Sequence, residues 1–362
     1  MLTKLAVTAV LLRYVAAQGT PGGEMLRFGC SQLVIERADP IVQPGVNPSA
    51  HTHQIVGGNS FNFSMDPAAM DPSKESTCTS CIYAEDKSNY WTATVYFRSP
   101  ENGTFKLVPQ MANFRGFDGK QFLPQEGGLT VYYMPPYGGS PKTTAFKRGF
   151  RMIAGDPGVR SASGRYPGIC HRCNGNGGGF APCDSHDTSE FPLKPCPDGI
   201  RATVIFPSCW DGKNLDSPDH RSHMAYAPGI TANSTSALAG PACPASHPVR
   251  VPQVMYEIML DTRQFNNPAY FEGGKQPFVY SFGDPTGHGQ HGDYLFGWEG
   301  DALQKAMDNL GINGCTTDVC SSVLTIQDGA KAIACTKKTQ VDENVGVKGD
   351  WLTAIPGNVP VA

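Results

Sequence analysis

Alternating apolar and polar positions recur along most of this 362-residue chain and predict a β-rich protein. Each such segment is rich in β-branched and aromatic residues, and glycine, proline or asparagine turns separate it from the next. The segments that share this pattern are residues 33–37, 90–97, 103–108, 128–133, 150–154, 200–210, 251–261 and 276–280. Short strands separated by turns predict an antiparallel β-sandwich with a jelly-roll-like arrangement.

Only one segment has the spacing of a helix. Leu303, Met307 and Leu310 lie on one face of a helix predicted over residues 301–310, and Gly311 ends it. Residues 157–200 carry few apolar side chains but four cysteines, which predicts a long disulfide-braced loop. No repeat or linker interrupts the pattern, so we expect a single β-rich domain over residues 18–362.

The N-terminal sequence predicts that the protein is exported from the cell. Lys4 precedes the apolar residues 5–12, and Val15-Ala-Ala17 supplies the small residues of a cleavage site, so residues 1–17 are predicted to be a signal peptide. This apolar run is too short to span a membrane, and no later run is longer. We therefore expect a secreted protein, extracellular or in the cell wall, without a membrane span.

Cysteine content agrees with export. Twelve cysteines follow the predicted signal peptide, an even number that fits six disulfides. Two C-x-x-C pairs, Cys78/Cys81 and Cys170/Cys173, would indicate zinc in a cytosolic protein, but disulfides are favoured in an exported one. Sequons at Asn62, Asn102 and Asn233 are acceptor sites for N-linked glycans on surface loops.

Charge and motifs exclude several classes of function. Charged residues make up 17% of the chain, the net charge is −3, and no basic stripe is present, so we expect no nucleic-acid partner. The sequence contains no G-x-S-x-G elbow, no H-E-x-x-H helix and no P-loop.

The richest candidate chemistry lies in residues 281–293, which hold Asp284, His288, His291 and Asp293. Glycine and proline are so frequent there that we expect a long loop leaving the strand at residues 276–280. Two other segments carry paired histidines, His51-Thr-His53 and His220/His223. If His51-Thr-His53 is extended, its two imidazoles share one face, as two ligands of one metal ion require.

We predict that these three segments converge on one pocket. Imidazoles and carboxylates bind divalent ions such as Zn, Cu or Ca. The predicted metal ligands are His51, His53, His220, His223 and His291. The same pocket could act through general acids and bases instead. The predicted catalytic residues are His53, His223, Tyr226, Asp284, His291 and Asp293.

Several longer motifs resemble a fungal family of secreted proteins that carry a domain of unknown function, often joined to WSC carbohydrate-binding modules. The motifs are Arg37-Ala-Asp-Pro-Ile-Val42, His51-Thr-His-Gln-Ile-Val-Gly-Gly58, Asp86-Lys-Ser-Asn-Tyr-Trp91, Gly149-Phe-Arg-Met-Ile-Ala-Gly155, Phe206-Pro-Ser-Cys-Trp-Asp-Gly212, His223-Met-Ala-Tyr226, Gly283-Asp-Pro-Thr-Gly287 and His291-Gly-Asp293. They span residues 25–300. The resemblance implies an extracellular protein connected with polysaccharide or cell-wall glycan, and it assigns no catalytic residue.

Three functions follow from these features. We expect a carbohydrate-active hydrolase or lyase with a His/Asp-lined site, with or without a bound divalent metal ion. The alternative is a non-catalytic cell-wall or glycan-binding protein with a structural metal in the same pocket. A third interpretation is sequestration of metal at the cell surface.

Overall fold

The structure is a computed structural model that describes residues 24–112, 125–136, 142–175, 181–231, 238, 240, 242–312, 314–317 and 319–362. The predicted signal peptide and the sequon at Asn233 lie outside these residues. The other two sequon asparagines, Asn62 and Asn102, are exposed.

Strands account for most of the regular structure. In chain order they are β1 (Leu26–Cys30), β2 (Val34–Glu36), β3 (His53–Gly57), β4 (Asn89–Ala93), β5 (Val95–Arg98), β6 (Phe105–Leu107), β7 (Gln110–Met111), β8 (Leu129–Met134), β9 (Arg151–Gly155), β10 (Ile169–Cys173), β11 (Asp187–Thr188), β12 (Ile200–Ile205), β13 (Cys209–Trp210), β14 (Met224–Ala225), β15 (Val249–Arg250), β16 (Gln253–Leu260), β17 (Phe278–Tyr280), β18 (His291–Leu295) and β19 (Trp351–Leu352).

These strands form four antiparallel sheets. The largest has seven strands in the order β1-β8-β16-β12-β10-β11, with β7 pairing with β16. A five-stranded sheet has the order β2-β3-β4-β18-β9, a four-stranded sheet β17-β5-β6-β19, and a small sheet β14-β13-β15. Only Thr94 separates β4 from β5, so one chain segment passes from the five-stranded into the four-stranded sheet.

The main core lies between the seven-stranded sheet and the two sheets that face it. Phe28, Tyr133 and Tyr256 extend into this core from the seven-stranded sheet. Tyr90 and Tyr294 meet them from the five-stranded sheet, and the rings of Tyr90 and Tyr256 lie 5.7 Å apart, edge to face. The predicted mainly β, antiparallel sandwich is confirmed.

The other face of the five-stranded sheet is also covered. Ile55, Trp91 and Ile153 lie on this face in one row of the strand register, with Asp293 between Trp91 and Ile153. Ala38, Ile41 and residues 61–65 pack against them as a second apolar layer. Side chains at alternate positions of β18 that do not enter the main core therefore lie under this layer.

β18 corrects one prediction. It begins at His291, inside the stretch that its glycine content predicts to be a loop. Gly292 lets this strand lie close to the opposite sheet, because a Cβ at this position would lie 3.1 Å from the Tyr256 ring. His291 and Asp293 are therefore held by a sheet rather than by a loop.

Helices are short. They are α1 (Pro72–Glu75), α2 (Ala302–Asn309) and α3 (Gly329–Ala334), together with three 3₁₀ turns at Ala162–Gly164, Arg263–Phe265 and Pro268–Gly274. α2 confirms the predicted helix, whereas α1 and α3 have too few residues to show a helical period. Among the described residues, no helix combines the length and apolar character needed to cross a membrane.

All twelve cysteines are paired, which confirms the predicted disulfides. The pairs are Cys30–Cys81, Cys78–Cys335, Cys170–Cys183, Cys173–Cys196, Cys209–Cys243 and Cys315–Cys320. Neither C-x-x-C motif bonds internally. Two disulfides brace the predicted long loop within residues 157–200. This number of disulfides is typical of the extracellular compartment.

Candidate functional site

Two strands of the five-stranded sheet bring three histidines together. His53 is the first residue of β3 and His291 the first of β18, and β4 lies between these strands. Ala93 of β4 pairs with His53, so a small residue occupies the register between the two imidazoles. His51 precedes β3 by two residues. We call His51, His53 and His291 the imidazole triad.

The three rings converge on one point. Each ring has one nitrogen within 4.8 Å of the corresponding nitrogens of the other two. The Nε2 atoms of His51 and His291 lie 3.2 Å apart, and the ring centroids of His51 and His53 lie 4.2 Å apart. His53 is completely buried, whereas His51 retains 8% of its surface exposed to solvent. The triad therefore approaches the surface through His51.

Backbone carbonyls orient two of these rings. Nδ1 of His53 donates to the Ala38 carbonyl at 3.0 Å, and Nδ1 of His291 donates to the Gly289 carbonyl at 3.0 Å. These bonds assign the proton to Nδ1, which leaves the lone pair of each Nε2 directed into the triad. Nε2 of His53 has no hydrogen-bond partner among the described residues. In the metal-free protein, Nε2–H of His51 donates to Nε2 of His291.

Burial keeps the triad neutral. It lowers the pKa of His53 to about 4, although the Ala38 carbonyl opposes this shift. Burial, followed by the charge of His53, lowers the pKa of His291 to about 4. Burial and the other two imidazoles hold the pKa of His51 well below its usual value. Neutral imidazoles keep the lone pairs that a metal ion needs.

Two buried carboxyl groups lie near the triad. Asp293 faces the same side of β18 as His291, and neither of its oxygens has a hydrogen-bond partner among the described residues. Asp39 accepts hydrogen bonds from the N–H groups of Ile41 and Val42. Burial raises the pKa of both carboxyl groups, and for Asp293 the neighbouring charge of Asp39 adds to the shift.

An aromatic ring forms one wall of the triad. The ring of Phe282, which is half-buried, lies 5.3 Å from that of His51 and 5.1 Å from that of His291. Tyr280 stacks behind it, with the centroids 5.3 Å apart. Gly289 permits this approach, because a Cβ there would lie 2.7 Å from the Phe282 ring.

One pair of nitrogens in the triad has the spacing of two ligands of a first-row metal ion. Zn–N bonds of about 2.0–2.1 Å in a tetrahedral site separate two ligand nitrogens by about 3.3 Å. The 3.2 Å between Nε2 of His51 and Nε2 of His291 is close to this value. Ca²⁺ prefers six to eight oxygen ligands, so three imidazoles favour Zn²⁺ or Cu²⁺ over Ca²⁺. A second cluster, Cys30, Cys81 and Asp86, offers no thiolates, since the two cysteines form a disulfide.

His220 and His223, predicted as further metal ligands, lie outside the triad. Both ring nitrogens of His223 form hydrogen bonds, at 2.8 Å with Ser217 Oγ and at 2.9 Å with the Arg151 carbonyl. Nδ1 of His220 lies 2.8 Å from Asp216 Oδ1. The segment carrying them covers the edge strand β9, where the N–H of Ile153 bonds to the His220 carbonyl.

Two predicted catalytic residues have structural partners. The Asp284 carboxylate accepts hydrogen bonds from the backbone N–H groups of Thr286, Gly287 and Gly289, and so shapes the loop that precedes β18. The Tyr226 hydroxyl donates to the carbonyls of Ile205 and Pro167. Of the predicted residues, the structure brings together His51, His53 and His291, with Asp293 beside them.

Sequence reasoning missed three contributors. Ala38 and Asp39 lie in the motif Arg37-Ala-Asp-Pro-Ile-Val42, which carried no assigned role, and both face the triad. Arg221 was overlooked between His220 and His223. Its guanidinium donates to the Gly155 carbonyl, and Gly155 pairs with His291. The one sequence signal that could have placed Asp39 in the site is its position before Pro40, close in the chain to His51-Thr-His53.

Comparison with known proteins gives a family without a known activity. Residues 39–298 match the model of a family described as a domain of unknown function, DUF1996. The matched range includes every residue of the triad. No curated protein and no solved structure matches the chain.

Proposed function

We propose that this chain, which belongs to the DUF1996 family, is a secreted, metal-dependent enzyme that cleaves a polysaccharide at the imidazole triad. One observation carries the proposal: the ligand nitrogens of three buried histidines lie within 4.8 Å of one another. Zn²⁺ or Cu²⁺ is the ion that three neutral imidazoles would hold.

The number of ligands supports catalysis over a structural role. Structural zinc sites have four protein ligands, whereas catalytic sites have three and keep one position for water or substrate. Within the described part of the chain, the cluster contains three residues. Such an ion acts as a Lewis acid and lowers the pKa of bound water.

The surrounding protein supplies what such a site needs. The carbonyls of Ala38 and Gly289 fix the imidazoles, as the partners of metal-bound histidines commonly do. Strands β3 and β18 hold His53 and His291 more rigidly than loops would. His51 and the half-buried Phe282 give the triad a side that solvent reaches.

Glycan is the substrate class that best fits the setting. Six disulfides favour an extracellular protein, where polysaccharides are abundant. The half-buried Phe282 ring beside the triad adds apolar surface for contact with the C–H groups of a sugar. The resemblance to fungal proteins joined to carbohydrate-binding modules points the same way and favours a cell-wall location.

Burial of the triad favours a second candidate, a non-catalytic glycan-binding protein with a structural metal. His53 is fully buried, as a structural ligand would be. This candidate shares the metal site but predicts no product from any polysaccharide. It therefore differs from the first in one measurable respect.

The experiment compares two variants, His53→Gln and His223→Gln. The full chain is purified without chelator, its metal content is measured by mass spectrometry, and products from a polysaccharide panel are detected as reducing ends and as unsaturated sugars. We expect about one Zn or Cu per chain in the wild type and in His223→Gln, and almost none in His53→Gln. Product formation should be lost together with the metal.

Each outcome decides between the candidates. Metal without product from any polymer, with binding of glycan retained, supports the non-catalytic candidate. A wild-type protein that binds neither Zn²⁺ nor Cu²⁺ overturns both. Circular dichroism of metal-free His53→Gln checks that the variant is folded.

A further inference from the structure

We propose that Arg221 binds the carboxylate of an acidic sugar, so that the substrate is a polyuronate rather than a neutral glycan. This inference rests on the proposed function, since it assigns a substrate class to the same site. It depends on how Arg221 is anchored, which of its donors remain open, and how close it lies to the triad.

Backbone carbonyls anchor the Arg221 guanidinium. Nε and Nη2 donate to the Gly155 carbonyl at 3.2 and 2.9 Å, and Nη1 donates to the Asp219 carbonyl at 3.1 Å. The Tyr166 ring lies 6.0 Å from the guanidinium carbon. These contacts fix the side chain before any ligand binds, which reduces the entropy lost on binding.

Two of the five N–H donors of Arg221 remain open. The anchoring bonds use three donors, and the other two have no partner among the described residues. No carboxylate within the described ranges lies within 4.0 Å of this guanidinium, and the side chain is half-buried. A planar guanidinium with free donors is suited to binding a carboxylate.

Two other arginines that solvent reaches already face a carboxylate. Arg160 lies over the Phe282 ring, with its guanidinium carbon 5.6 Å from the centroid, but its Nε is 3.8 Å from the buried Asp284 carboxylate. Arg263 forms a 2.6 Å ion pair with Asp261. Arg221 is therefore the better candidate for an external anion.

Arg221 also lies beside the triad. Its Gly155 anchor pairs with His291 across neighbouring strands. A sugar carboxylate bound by Arg221 would hold the adjacent ring near the triad.

The test compares acidic and neutral polymers on the metal-loaded full chain. Polygalacturonate is measured beside its methyl ester, which has the same backbone without the charge, and galacturonate oligosaccharide binding is followed by calorimetry. We expect wild-type protein to prefer the acid and Arg221→Gln to bind it about 10- to 100-fold more weakly. Arg221→Lys should recover part of this loss, and Arg263→Gln should behave as wild type.

The results separate this inference from the proposed function. If the wild type holds metal but favours the methyl ester, or binds no acidic oligosaccharide, the inference is overturned while the metal site stands. If Arg221→Gln loses metal, or loses acidic and neutral polymers equally, Arg221 serves as a counter-charge to Asp293 and the inference is also overturned. An absence of metal in the wild type overturns the proposed function itself.

Discussion

Two sets of histidine and aspartate side chains differ in how many of their polar atoms form hydrogen bonds within the protein. In and beside the imidazole triad, Nε2 of His53 and both carboxyl oxygens of Asp293 lie buried without hydrogen-bond partners among the described residues. In the segment from Asp216 to Tyr226, by contrast, His223 uses both nitrogens in hydrogen bonds. This segment bonds to the outer edge of β9, and its His223, unlike His53, has no ring nitrogen left for a ligand.

The difference shows that residue type alone is a poor guide to a site. A buried polar atom without a partner costs about 1–3 kcal/mol, and such a cost persists where binding or catalysis requires it. His53 carries this cost and His223 does not. An unpaired ring nitrogen that lies beside two other imidazoles, rather than the density of histidine, distinguishes the candidate site.

The largest expected effect on the free energy of unfolding comes from Asp284→Asn, which replaces one carboxylate oxygen with an NH₂ group. The Asp284→Asn variant turns an NH₂ group toward backbone donors, which leaves buried N–H groups unpaired, so we expect a loss of about 3 kcal/mol in the free energy of unfolding. The Gly289 carbonyl belongs to the same loop and orients His291, so metal affinity should fall as well. Urea unfolding and metal titration measure the two effects.

Asp293→Asn is the matched variant. The Asp293 carboxyl accepts no hydrogen bond from the described residues, and burial raises its pKa well above the usual value, so the neutral amide resembles its folded form. We expect a change below about 1 kcal/mol in metal-free protein. A loss equal to that of Asp284→Asn would show that Asp293 is bonded and would break the distinction drawn above.

Local sequence patterns predict much of the fold. Alternation and turns give most of the long strands, and the spacing of Leu303, Met307 and Leu310 gives α2. The His51-Thr-His53 pattern predicts two imidazoles on one face, and their ring centroids lie 4.2 Å apart. These features depend on neighbours in the chain, which the sequence displays directly.

What the sequence could not give depends on contacts distant in the chain. The pairing of β3 with β4 and of β4 with β18 brings His53 to His291, and no local pattern encodes this register. Gly289 and Gly292 give the start of β18 the glycine content of a loop, so the sequence pattern does not predict a strand there. Whether His223 finds partners in Ser217 and Arg151 is equally a matter of tertiary packing.

The second-largest expected effect is a loss of stability in acid, measured with chelator present so that the protein holds no metal. The pKa of His53 is about 4 in the folded protein and about 6.5 when unfolded, so the unfolded chain binds more protons between these values. The stability that the buried, neutral His53 contributes to the free energy of unfolding is complete above pH 6.5 and is lost as the pH falls toward 4. Between pH 7 and pH 5, wild type should lose about 2 kcal/mol more than His53→Gln.

Comparing wild type with His53→Gln removes an opposing contribution of Asp86 to the pH dependence of stability. Burial raises the pKa of Asp86 to about 7, and a raised carboxyl pKa stabilises the fold as the pH falls. Asp86 is present in both proteins, so its effect cancels in the difference. Parallel urea-unfolding profiles would show that the His53 imidazole is accessible to protons in the folded state, contrary to its complete burial.

The smallest effect tests Tyr226, which the sequence predicts to be catalytic. Its hydroxyl donates to the Ile205 carbonyl at 2.7 Å and to the Pro167 carbonyl at 3.2 Å, and burial raises its pKa, which opposes the ionisation that a general base requires. Tyr226→Phe should therefore cost about 1 kcal/mol of stability and leave metal content and product formation unchanged. A large loss of product formation at unchanged stability would instead place the hydroxyl in contact with substrate, and Tyr226 would then belong to the site.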